Sequence, residues 1–133
     1  MNTKMIDMDP EESSWEQVQN SYCGTKNEFL EDCRILDTVN ERITPKERNA
    51  RNAYLTEYLY AVTNYMSIGS EENLQYLSTC ANVLHTYITE LVKKYDIEHW
   101  KVFKTRQEKS QARTLKIMEK MKSIPISTMI GNA

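Results

Sequence analysis

The chain has 133 residues, 40% of them hydrophobic and 27% charged, with a formal net charge of −2. That length suits one domain with a core of its own, and no stretch stays apolar long enough to span a membrane. Three glycines and three prolines are too few for a loop-rich or disordered chain, so long uninterrupted elements are expected.

Residues 1–9, MNTKMIDMD, lack the apolar run of a secretory leader and read as a flexible N-terminus. The first helix is predicted over 10–23. Asp9 caps it, Pro10 takes the first position, Glu12 completes a capping box, and Trp15, Val18 and Tyr22 repeat at helical spacing. After Gly24, Thr25 and Glu28 open a second helix over 26–43, with Phe29, Cys33, Leu36, Val39 or Asn40, and Ile43 on one stripe.

Thr44-Pro45-Lys46-Glu47 is the clearest start in the chain, since cap, proline and reciprocal acid stand together. The helix it opens, 45–67, carries Ala50, Tyr54, Ala61 and Tyr65 on one stripe. Leu55, Tyr58, Leu59, Val62 and Met66 widen its apolar face. Ser70 caps the next helix, 71–95, whose Leu74, Leu77, Ala81, Leu84, Ile88, Leu91 and Tyr95 alternate three and four apart. Leu77, Ala81, Leu84 and Ile88 are expected to be nearly inaccessible to water. Asp96 opens the last helix, 97–122, with Ile97, Trp100 and Phe103 as anchors. Pro125 ends the basic C-terminal region 97–124, and 125–133 is a tail. The expected fold is all-α: an antiparallel helical bundle of four to five helices forming one domain.

Three cysteines, Cys23, Cys33 and Cys80, with no leader, fit a reducing interior: cytoplasm or nucleus, not secretion. Nine residues separate Cys23 from Cys33, the spacing of half a twin CX9C hairpin. The second pair is absent, so buried thiols are expected.

Charge is unevenly distributed. Residues 1–32 carry eight acids and two bases, and residues 97–133 carry three acids and eight bases. Acids at 11, 12, 16, 28, 31 and 32 on two successive helices loosely resemble the acid pairs of all-α nucleotide pyrophosphohydrolases. The resemblance implies a Mg²⁺-dependent nucleotide hydrolase. First-turn acids serve helix dipoles equally well, and no metal ligand set, cofactor, catalytic residue or small-molecule substrate is assigned. His85 and His99 have no second ligand at metal spacing. Eight tyrosines suit either the boundary of a thin bundle or a protein interface.

The last helix carries the functional expectation. Lys104, Arg106, Lys109, Arg113, Lys116 and Lys120 form a basic set that would meet an acidic protein surface or nucleic-acid phosphates. Residues 104–114 have Ala112 as their only apolar side chain, and Leu115, Ile117, Met118 and Met121 follow. If this helix runs straight, it leaves the bundle and a second chain covers those four residues. If it breaks near Ser110, they fold back onto their own bundle. The expectation is a non-enzymatic protein–protein interaction module that self-associates, most simply as a homodimer. Nucleic-acid binding and the hydrolase stand as alternatives.

Overall fold

The computed structural model describes residues 15–16 and 19–122. The expected flexible N-terminus, most of the first helix and the C-terminal tail lie outside the described residues. Trp15 and Glu16 are helical, while 19–25 are turn and irregular backbone. The described residues are all-helical, with no strand: α1 (Lys26–Arg42), α2 (Pro45–Ser67), α3 (Glu71–Tyr95) and α4 (Ile97–Lys122).

Each boundary has a local cause. Thr25 and Thr44 are extended, and each hydroxyl accepts the backbone N–H three residues on, from Glu28 and Glu47 at 3.1 Å. The two glutamates accept in return from the cap N–H, at 2.8 and 2.9 Å. These are complete capping boxes. Pro45 also keeps Thr44 out of the helical region, which ends α1 and starts α2 within two residues. Ser70 caps α3 by accepting from the Asn73 N–H. The Asn73 amide then donates to the carbonyls of Asn64 and Ile68, closing the turn. Only Asp96 separates α3 from α4, and its carboxylate meets the His99 ring at 2.8 Å. That contact holds the His99 pKa above its usual value.

α3 is the central element. Glu47 at the start of α2 meets Lys94 and Tyr95 at the end of α3, whereas Asn73 at the start of α3 meets the end of α2. On the other side, Leu77 and Cys80 pack near Leu115 and Met118, and Lys93 lies over the Trp100 ring, so α4 packs on α3 as well.

Two apolar clusters hold the four helices. At one end Ile35, Val39 and Ile43 of α1 and the cap after it meet Leu91 and Val92 of α3 and Phe103 of α4. At the other, Ala61 and Tyr65 of α2 meet Leu77 and Cys80 of α3, with Leu115 and Met118 of α4 against them. Leu77 and Ala81 are buried as expected; Leu84 and Ile88 are only half-buried, because they line a cavity of about 320 Å³ with Tyr58 and Phe103. Ile97 is exposed and does not anchor α4; Trp100 and Phe103 do. On α1 the buried face runs Asp32, Ile35, Val39 and Ile43, rotated from the expected stripe because an aspartate belongs to it.

Candidate functional site

The polar middle of α4 is where the expected site lay, and it proves to be interior. Arg106 is 8% exposed and Asp32 2%. The Arg106 Nε donates to both Asp32 oxygens at 3.0 and 3.2 Å, and its Nη2 to Asp32 Oδ1 at 2.6 Å and Glu31 Oε1 at 2.5 Å. Glu28 lies 3.7 Å from Nη1. Asp32 also accepts from the Tyr22 hydroxyl at 2.5 Å and the Gln107 amide at 3.0 Å. Nearby, Ser110 accepts from the Cys23 N–H and Gln111 donates to Asn82.

This is a satisfied polar layer between α1, α3 and α4, and it explains why the helix needs no apolar residue there. Burial alone would lower the Arg106 pKa, but the bonds to Asp32 and Glu31 outweigh it and raise it. The bond from Arg106 lowers the Glu31 pKa. Burial first, and then the bond to Asp32, push the Tyr22 phenol up, so it remains a donor. Gly24 makes room for this tyrosine: a Cβ there would lie 2.6 Å from the Tyr22 ring.

The basic set therefore divides. Arg106 leaves it, a correction to the surface role expected from its charge. Lys104 is half-buried with its ammonium 5.4 Å from the Trp100 ring centroid. Lys109, Arg113, Lys116 and Lys120 are exposed along one side of α4. The carboxylates of 28, 31 and 32 do converge, but around a guanidinium. Among the described residues, no group of three or more His, Cys, Asp or Glu side chains is placed to hold a metal ion. None of the three cysteines is disulfide-bonded, and burial raises the Cys80 pKa.

The distal apolar residues also divide. α4 is one unbroken helix through Lys122, so no break occurs near Ser110. Nor does it leave the bundle. Leu115 and Met118 pack on the cluster of Ala61, Tyr65, Leu77 and Cys80. Ile117 is half-buried and Met121 is half-exposed. The first two need no second chain to cover them, which corrects the reason for placing an interface there.

An apolar surface does exist, on α2. Leu55 is 41% exposed, Leu59 53%, Tyr60 62% and Met66 44%. Leu55, Leu59, Val62 and Met66 are spaced four, three and four apart, so they share one side of the helix. Ala61 and Tyr65 are buried instead against α3, with Tyr58 and Val62 partly so. No helix of the described residues is long and apolar enough to cross a membrane.

The chain matches no known family model, curated protein or solved structure. The α2 surface therefore has to be read from its own chemistry. The sequence held a signal for it: apolar residues lie nearly all round α2, and a helix in a chain this small cannot bury every side. The polar layer had a weaker signal, an aspartate standing in the apolar stripe of α1.

Proposed function

We propose that this chain is a non-enzymatic, self-associating protein–protein interaction module built on an antiparallel helical bundle, with α2 as its contact surface. The observation that carries the proposal is the exposed stripe of Leu55, Leu59 and Met66 beside the half-buried Val62. Contiguous apolar surface of this kind marks interaction sites on folded proteins. The interface assigned to Leu115, Ile117, Met118 and Met121 moves to α2, since Leu115 and Met118 already contribute to the core.

Light scattering across roughly 10–200 μM protein, a range matched to micromolar association, tests the reading. The full chain is expected to approach twice its monomer mass, and Leu59→Glu to remain monomeric with an unchanged helical spectrum. A wild-type chain that stays monomeric throughout, or a Leu59→Glu dimer, would overturn it.

A second reading rests on the exposed Lys109, Arg113, Lys116 and Lys120. They occupy one side of α4 over about 16 Å at 1.5 Å per residue, a length that fits a nucleic-acid backbone. Binding to a duplex through about four phosphates would give a log–log salt slope near −3.6. Affinity unchanged in Lys109→Glu/Arg113→Glu would remove this reading.

A further inference from the structure

The two ends of the α2 surface carry opposite electrostatics. At the N-terminal end, Arg48 stands seven residues before Leu55 on the same side, and Arg51 four before it. Arg48 is exposed and Arg51 half-exposed. Their hydrogen bonds go to neutral oxygens: Arg48 to the Asn40 carbonyl, Arg51 to the side-chain oxygens of Asn40 and Asn52. Among the described residues neither meets a carboxylate, so both place a positive charge beside the stripe.

The C-terminal end is the reverse. From Tyr58 to Ser70 no side chain is charged, and the last turn of α2 contains no base. The negative end of the helix dipole thus meets no positive side chain of its own helix, only the Asn73 amide. Immediately beyond it stand Glu71 and Glu72, both exposed in the first turn of α3. Along α2 the charge therefore runs from basic, through apolar, to acidic at the turn beyond its end.

A surface with that order is complementary to itself, but only in one sense. We infer that the α2 face is covered by α2 of a second copy, running in the opposite direction about a two-fold axis between Leu59 and Val62. This rests on the self-association reading above and adds its geometry. About such an axis, Leu59 meets the partner's Val62, and Leu55 meets the partner's Met66. Arg51 then stands about 4.5 Å and Arg48 about 9 Å past the level at which the partner's α2 ends, at 1.5 Å per residue, on the side of the turn that leads to its Glu71 and Glu72. The apolar layers supply the attraction, and the charged ends set the direction. Helices running in the same sense would bring the arginines of the two copies together, and the acids at the two helix ends likewise. The two-fold repeats every contact, which is how a closed dimer forms from one kind of patch.

Charge exchange on the full-length chain tests this. Arg48→Glu/Arg51→Glu makes both ends acidic, and Glu71→Arg/Glu72→Arg makes both basic. Each variant alone is expected to weaken its own dimer by at least roughly tenfold at low salt. An equimolar mixture is expected to recover a heterodimer near wild-type affinity, because every repelling pair becomes an attracting one. Circular dichroism of the variants and the mixture verifies that the helices persist, and recovery on mixing cannot come from misfolded chains. If the wild type dimerises and Leu59→Glu does not, yet each charge variant alone associates as the wild type does, the opposed arrangement is wrong while self-association through α2 stands, whether or not mixing strengthens association. If the wild type is monomeric at every concentration, both fail together.

Discussion

The contact between α1 and α4 and the hairpin of α2 and α3 invert each other's chemistry. Where α1 meets α4, the sequence is polar and the structure is buried: Arg106 and Asp32 are enclosed with Tyr22 and Gln107 bonded to the same carboxylate. On α2 the sequence is apolar, and Leu55, Leu59, Tyr60 and Met66 stand exposed. Polarity by itself therefore does not place a residue in this protein. What decides is whether a partner of matching chemistry arrives from another helix. Arg106 has one in Asp32, while Leu59 has none among the packed clusters.

Breaking the polar layer is expected to have the largest effect. Arg106→Ala leaves Asp32 buried without its counter-charge and should cost about 3–5 kcal/mol in urea unfolding. Asp32→Leu combined with Arg106→Met should recover only part of that loss: an apolar pair avoids the desolvation of both charges, but the Tyr22 hydroxyl and the Gln107 amide lose their acceptor. A loss below about 1 kcal/mol for Arg106→Ala would mean that water reaches the pair.

Next come the apolar positions of α3. Leu77→Ala, at a fully enclosed site, should cost about 2–5 kcal/mol. Leu84→Ala should cost closer to about 1–2 kcal/mol, because its side chain faces the cavity and surrenders less buried area. Equal losses would show that the cavity is filled in solution. Thr44→Ala removes one half of a capping box and should cost about 0.5–2 kcal/mol, measured the same way.

A smaller, pH-dependent effect belongs to Glu47. Its hydrogen bond from Lys94, then those from the Thr44 N–H and the Tyr95 hydroxyl, hold its carboxyl down to about 2. An ordinary glutamate in the unfolded chain titrates near 4.5. With the folded value the lower one, its stabilisation is fully present above the unfolded value and is lost as pH falls from about 4.5 towards 2. Glu47→Gln should flatten the stability profile in that window and leave the slope above it unchanged. A slope unaltered by the substitution would show that the ion pair contributes nothing. The smallest effect is expected at Leu59. Leu59→Ser should change monomer stability by no more than about 0.5 kcal/mol, as at other exposed positions, while it weakens association. A large loss of stability in dilute protein would place Leu59 in the core and remove the contrast between the two regions.

The sequence by itself determined the four helices between Lys26 and Lys122, but not the extent of the first predicted one: 19–23 are turn and irregular backbone, not the end of a helix over 10–23. The Thr25–Glu28 and Thr44–Glu47 boxes, Ser70, and Pro45 act within one turn of their own position, so helix starts and ends can be read without knowing what packs where. It also placed Leu77 on an apolar stripe and Phe103 as an anchor, and both are buried, but it left Val39 or Asn40 open and expected the same burial of Leu84 and Ile88, which are only half-buried. Only the tertiary structure decided which charges were interior. Asp32 and Arg106 are 74 residues apart, and nothing local in either distinguishes it from Asp37 or Lys109, which are exposed. The same holds for the side of α2 that stays open. Its apolar residues extend round the helix, and the choice between Tyr65 and Leu59 was made by where α3 came to lie. Capping is settled by neighbours in sequence, whereas burial is settled by neighbours in space.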